Sequence, residues 1–248
     1  MYQNSWTNKL FIIVVIAASW QLASFAIGNK MLWPDIWDVI RKLFELVQRV
    51  NFLNAVFSSL YITFTGFVLM MVLVILVATV THNSKWIRNL ISDFCDIIGP
   101  TPTLSWLPVF LIFFGFSKAT IYILMIWAVF WLAIPGFYSL LDISNQTWSK
   151  QIDNLGLSRS RAVRHVYIPS MLNGFLIISK INLMFMWRVL FSLEIVFGAV
   201  GGHVGIGTAM YDFKGKFDHL EVYACMLMIM IIGALINKFF AYFEIKKS

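Results

Sequence analysis

Residues 153–169 read Asp-Asn-Leu-Gly-Leu-Ser-Arg-Ser-Arg-Ala-Val-Arg-His-Val-Tyr-Ile-Pro. They form the one long polar interruption in the second half of a very apolar chain, between a hydrophobic run that ends near Leu141 and another that starts near Met171. What this stretch binds is therefore met in water. Its local chemistry predicts two short helices broken at Gly156, with Ser158 as N-cap of the second. Ala162, Val163 and Val166 recur at helical spacing and give one apolar stripe flanked by Arg159, Arg161 and Arg164. Pro169 cannot continue that helix internally but suits the first turn of the next. The expected product is a small basic amphipathic helix on the membrane surface, suited to a lipid interface or to a groove on a partner protein.

Composition sets the class. Of the 248 residues 60% are hydrophobic and 12% charged, and the mean hydropathy is +0.79, whereas soluble domains average about 45–50% apolar and about 25% charged. This is the composition of an integral membrane protein. The formal charge of +7 comes from cations scattered among hydrophobic spans, which argues against nucleic acid and for orientation against anionic membrane lipid. Cys95 and Cys225 fall in or beside apolar runs and read as inert buried thiols. Residues 9–26 imitate a signal peptide, but the apolar stretch runs on to Ile27, about the ~20 residues needed to span, so a retained first helix is expected.

Six spans are expected, at about 10–28, 58–81, 87–114, 120–141, 170–193 and 221–242. Between the first two, residues 31–50 place Ile36, Ile40, Leu43, Val47 and Val50 on one face and Asp38, Arg41, Lys42, Glu45 and Arg49 on the other. This predicts an interfacial helix with Asp38–Lys42 and Glu45–Arg49 as i,i+4 pairs. Pro100, Pro102 and Pro108 break the third span, which is therefore expected to face protein rather than lipid. The organisation is an N-terminal span (1–30), an interfacial helix (31–50) and a five-helix core (51–248) carrying a polar loop at 142–169. If the N-terminus is cytoplasmic, the inside carries Lys9, Lys85, Arg88, Lys150, Arg159, Arg161, Arg164, Lys246 and Lys247 and the outside Lys30, Arg41, Lys42, Arg49, Lys118, Lys214 and Lys216, a small excess that favours both termini inside.

Within the spans, the fifth carries Lys180 and Arg188, with Glu194 at its outer end. An ionisable group at the bilayer centre costs about 2.5–3.5 kcal/mol on insertion scales, so such residues face a bundle interior or a wet path. Lys180, Arg188 and Glu194 are accordingly expected to line a translocation path, with Arg188 paired to Glu194 or to an acid on another helix. The alternative is snorkelling of Lys180 inward and Arg188 outward. Gly198, Gly201, Gly202, Gly205 and Gly207 lack the spacing of any phosphate loop and read as an external gate or re-entrant turn, centred on Gly202, Gly205 and Gly207. The four histidines form no His-x-x-x-His pair and no Gly-x-Ser-x-Gly is present. No catalytic residue, metal site or nucleotide site is expected on this chain.

The spacing Gly156, nine residues, Val166, one residue, Ile168-Pro169 resembles the signature loop of the membrane subunits of ABC importers, in which Glu-Ala-Ala, three residues and Gly precede nine residues and Ile-x-Leu-Pro. Lys150, Gln151 and Ile152 stand here in place of Glu-Ala-Ala. Trp33-Pro34, Ser59-Leu60 with Gly66-Phe67, the prolines 100, 102 and 108 with Gly115, Trp187-Arg188 with Glu194, and Gly205-Ile206-Gly207 resemble the nitrate, taurine and sulfonate branch in the same order. The resemblance implies an all-α membrane protein of the type I importer fold, with six spans and a cytoplasmic coupling helix formed by Gly156, Leu157, Ser158, Arg159, Arg161, Ala162, Arg164 and His165. It implies a second permease copy, an ABC ATPase subunit that binds ATP and Mg, and an extracytoplasmic substrate-binding protein, all in a bacterial cytoplasmic (inner) membrane. A stand-alone channel or secondary transporter, or a membrane scaffold, are the alternatives.

Overall fold

In the computed structural model, which describes residues 5–82, 84–197 and 204–245, every long apolar run has become a helix. These are α1 (Ser5–Ile27), α2 (Ile36–Val47), α3 (Val50–Thr81), α4 (Lys85–Ile98), α5 (Leu107–Phe114), α6 (Lys118–Asn154), α7 (Arg159–Ala162), α8 (Ile168–Phe197), α9 (Ile206–Gly215) and α10 (His219–Ile245). Five of them are long and apolar enough to cross a membrane, and the α4–α5 pair, bent by 97°, makes a sixth when counted as one span. Gly198, Gly201, Gly202, His203, Lys246 and Lys247 lie outside the described residues, as do the side chains of Lys9 and Arg159.

The core is built where α3, α6 and α8 pack together. Met70, Val74, Ile121, Leu124, Met125, Ile134, Met186, Leu190 and Leu193 are all fully enclosed there. Gly66 sets the approach of α3, since a Cβ on it would sit 2.5 Å from Met125 Cε. A second cluster, with Leu46, Phe52, Leu183, Trp187, Ile206, Ala224 and Cys225, joins α2, α9 and α10 to α3 and α8.

The three prolines of the third span do not interrupt a helix. Pro100 lies in the turn between α4 and α5, Pro102 precedes a short 3₁₀ turn (Thr103–Trp106), and Pro108 is the second residue of α5. At each position no intrahelical N–H is required, so proline costs nothing there. The break leaves helix-end carbonyls between Ile98 and Leu107 that an apolar membrane would not satisfy, in keeping with the expectation that this segment faces protein. Trp86, Ile97, Ile112 and Phe113 remain exposed along this bent pair in the isolated chain. Pro135 does lie inside a helix, α6.

The interfacial helix is shorter than expected, and its pairing differs. Its buried stripe is Val39, Leu43 and Leu46, packed toward α10. Arg49 is the N-cap residue of α3, not part of α2, so Glu45 cannot reach it at i,i+4. Instead Lys42 pairs with Glu45 at 2.7 Å, Arg41 lies 3.9 Å from Asp38, and Arg49 crosses to Glu221 of α10 at 2.9 Å.

The first helix is largely apolar, and the bonds among its described residues that tie it to the rest of the chain lie at its C-terminal end. Only 6% of its apolar window is buried. Near its end Trp20 Nε1 donates to the Pro34 carbonyl at 3.0 Å, while Ser24 Oγ and Gln21 Nε2 donate to Asp35 Oδ1 at 2.8 and 2.9 Å. Lys30 Nζ reaches Asp35 Oδ2 at 2.6 Å. The Lys30 ammonium, with Ser24 and Gln21, holds the Asp35 carboxyl down to about 2. Because the folded value lies below the ordinary aspartate value of 3.8, the anchor is at full strength above that value and is lost as pH falls through about 2. Trypsin cleavage at Lys30 is therefore expected to accelerate in Asp35→Asn at pH 8, where the unmodified chain stays protected; equal rates would show that Asp35 does not hold the junction.

Candidate coupling segment and translocation helix

The polar loop expected at 142–169 is largely helix. Residues 142–154 contain neither Gly nor Pro, so α6 runs on past Leu141 until Asn154. Gly156 then stops it, as read from the sequence. Its φ is +59°, Gly156 N–H donates to the Asp153 carbonyl at 3.1 Å and Leu157 N–H to the Ile152 carbonyl at 3.2 Å. This is a Schellman cap with glycine in the left-handed position, which costs other residues roughly 1–2 kcal/mol.

Ser158 occupies the predicted start of the next helix, its carbonyl accepting from Ala162 N–H at 2.9 Å. Arg159–Ala162 is α-helical, but Val163–Tyr167 forms a π turn before α8 begins at Ile168. The extra residue per turn rephases the apolar stripe. Ala162 is buried and Val166 half-buried, while Val163 turns outward at 42% exposure. The segment is braced from behind: Tyr167 Oη donates to Asn145 Oδ1 at 3.1 Å, and the Ser144 and Ser170 hydroxyls share a 3.0 Å hydrogen bond.

On the open side stand Arg161, Arg164 and His165, all exposed, with Leu155 projecting at the tip of the turn at 71% exposure. An exposed leucine and exposed basic side chains on one short segment suit a partner surface that is part apolar and part acidic. Nearby, Arg88 of α4 donates to both carboxylate oxygens of Asp142 on α6, one contact being 2.7 Å, and its guanidinium lies 4.7 Å above the Tyr138 ring. This bidentate clamp ties the start of α4 to the extended half of α6.

Of the three ionisable residues predicted on the fifth span, now α8, Lys180 is half-buried and Arg188 exposed. Glu194 is wholly buried. Six residues along a helix is about 600° of rotation, so Arg188 and Glu194 face directions about 120° apart. The described bonds of the Glu194 carboxylate go elsewhere: Ser59 Oγ of α3 donates to Oε1 at 2.7 Å and Gly207 N–H of α9 to Oε2 at 2.8 Å. Ser59 Oγ in turn accepts from Ile206 N–H at 2.9 Å. The pairing of Arg188 with Glu194 expected from the sequence gives way to this arrangement. Gly205 and Gly207 pack against the Glu194 side chain, and Ser59, noted in the sequence only within the Ser59-Leu60 motif and given no role there, is a member of the site.

Residues 70–246 match the family described as binding-protein-dependent transport system inner membrane component. The chain belongs to this family. It is a multi-pass membrane permease, and its similarity to known transport permeases extends over nearly its full length. It is 21% identical over 242 residues to a nitrate import permease protein of Synechocystis, covering 94% of this chain and 86% of that one. It is 22% identical over 228 residues to a taurine transport system permease protein of Escherichia coli, covering 90% and 81%. It is 20% identical to a formylaminopyrimidine transport permease protein of Halalkalibacterium halodurans, covering 94% and 91%. The permease fold also matches the MetNI methionine ABC transporter in an inward-facing conformation, with a TM-score of 0.56 and 18% identity over 87% of this chain and 98% of the other.

Proposed function

We propose that this permease is the translocation subunit of an ATP-driven importer for a small solute that carries an anionic group, such as nitrate, taurine or a sulfonate. The observation that carries the reading is the coupling segment: a basic, glycine-capped helical turn that leaves Leu155, Arg161 and Arg164 exposed while Ala162 is buried and Tyr167 braces it on Asn145 of α6. ATP and Mg bind a partner ATPase, whose closure moves Gly156, Leu157, Ser158, Arg159, Arg161, Ala162, Arg164 and His165 as one docking element. Two copies of the permease enclose one path, with the exposed surface of α4 and α5 among the faces the second copy covers. Lys180 and Arg188 bias the path toward anions, and the start of α9 at Gly205 and Gly207, helical here and not the turn expected from the sequence, lies at its outer end. A substrate-binding protein delivers solute from outside, both termini lie in the cytoplasm, and transport proceeds by alternating access driven by the differing affinity of the two states for nucleotide. Relatives named for nitrate, taurine and aliphatic sulfonates support the solute class.

The test is purification of the chain from its native membrane in mild detergent, followed by identification of stoichiometric partners and an ATPase assay. An ATPase subunit in fixed ratio supports the importer; a stable oligomer without ATPase activity would replace it with a stand-alone channel or secondary transporter.

A further inference from the structure

The short helix α9 starts at Ile206, and its N-cap residue, Gly205, has no side chain with which to cap it. The first N–H groups of a helix have no partner within it, and Ser, Thr, Asp or Asn normally supplies one locally. Here both leading donors are answered by other helices. Ile206 N–H donates to Ser59 Oγ of α3, and Gly207 N–H to Glu194 Oε2 of α8. Ser59 then donates to Glu194 Oε1, closing a ring through three elements. Thr63 Oγ1 donates to the Ser59 carbonyl at 2.9 Å one turn further along α3.

Glycine at 205 and 207 follows from this arrangement. A Cβ on Gly205 would occupy the place of the Glu194 carboxylate, and one on Gly207 would lie 2.7 Å from Glu194 Cβ. The backbone at Gly205 is extended, with φ −117° and ψ 179°, so a side chain there is excluded by the carboxylate and not by conformation. A buried carboxylate left without its donors is strongly unfavourable, while the positive end of a helix favours it.

We propose that Glu194 and Ser59 form a clasp that makes α9 one rigid unit with α3 and α8, the carboxylate supplying from α8 the cap that Gly205 cannot. Glu194 is a positioning residue whose carboxyl group is engaged inside the protein instead of facing the solute. The importer reading supplies the purpose, since an α9 fixed to α3 and α8 carries the outer end of the path with them as the permease changes state.

The clasp is tested on the purified chain, so its failure is separable from failure of the importer reading. Spin labels at Tyr61→Cys on α3 and Tyr211→Cys on α9, both exposed positions, report the separation of the two helices. Labels at Tyr61→Cys and Ile143→Cys on α6 serve as control. The unmodified site gives one narrow distance for each pair. Glu194→Gln and Ser59→Ala are each expected to abolish the narrow α3–α9 distance and spare the control, and the double variant is expected to be no broader than either alone. A second arm separates a clasp from a mere cap: Gly205→Ser combined with Glu194→Ala restores a local cap in the vacated space without restoring the link to α8. The clasp requires that the α3–α9 distance stay broad in that variant; a narrow distance there would reduce Glu194 to a cap and overturn the proposal. If Glu194→Gln disturbs the control pair as well, Ser59→Ala decides, and an unchanged narrow distance in it overturns the clasp.

Discussion

Replacing Arg161 and Arg164 together with glutamate is expected to strip the ATPase subunit from the purified permease and to abolish ATP-dependent uptake. Both side chains are exposed, and surface substitutions of this kind change stability by about 0.5 kcal/mol or less. The chain should therefore keep its elution volume and its helical content. The loss would be confined to association, because each reversal turns an attraction for an acidic rim into a repulsion, and like charges facing one another across an interface cost several kcal/mol. Restoring uptake by reversing acidic residues on the ATPase would identify the rim. Retention of the ATPase at full stoichiometry would move the docking surface elsewhere.

The second large effect is expected at Arg188. Arg188→Leu should lower uptake by tenfold or more, about 1.4 kcal/mol or more in the barrier, while ATP hydrolysis and assembly persist. Arg188→Lys should retain a measurable part of the rate, since a cation remains even though the planar fork is lost. The split between preserved hydrolysis and lost uptake distinguishes a group on the path from a structural one. Normal uptake by Arg188→Leu, measured with the radiolabelled anion in proteoliposomes, would take Arg188 off the path and leave it as an arginine snorkelling to the interface.

The parts of this protein that were legible in one dimension are those whose physics is local. The apolar stretches announce the long helices because only a continuous run of about 20 residues satisfies both lipid and backbone. Gly156 marks the start of the coupling segment because it is needed at positive φ, whereas Pro169, expected in the first turn of a new helix, lies inside a helical run that continues through the π turn from Ser160 to Phe197. The extent of α6 was misread for a related reason. Polarity after Leu141 marks the end of the apolar span, yet polarity ends no helix; α6 stops at the glycine. The pairing of α2 failed because the helix ended at Val47, which moved Arg49 onto another element and left it to Glu221. Ser59, Glu194 and Ile206 could not be joined by reading, since 135 residues separate the first two and the link exists only once α3 and α8 pack. The hint available was a hydroxyl-bearing stretch, Ser58-Ser59 with Thr63, in an otherwise apolar span.

The continuation of α6 past its apolar stretch has a mechanical meaning. Residues 142–154 at 1.5 Å each carry the coupling turn about 20 Å beyond Leu141. A stiff arm of that length converts angle into distance: a tilt of about 10° at the membrane surface sweeps its far end through about 3–4 Å, which is the scale of a side chain. The Arg88–Asp142 clamp sits at the root of this arm, where it acts as the fulcrum. The same leverage runs in reverse, so a small displacement imposed at Leu155 reaches the membrane as a rotation of α6 rather than as local bending of a loop.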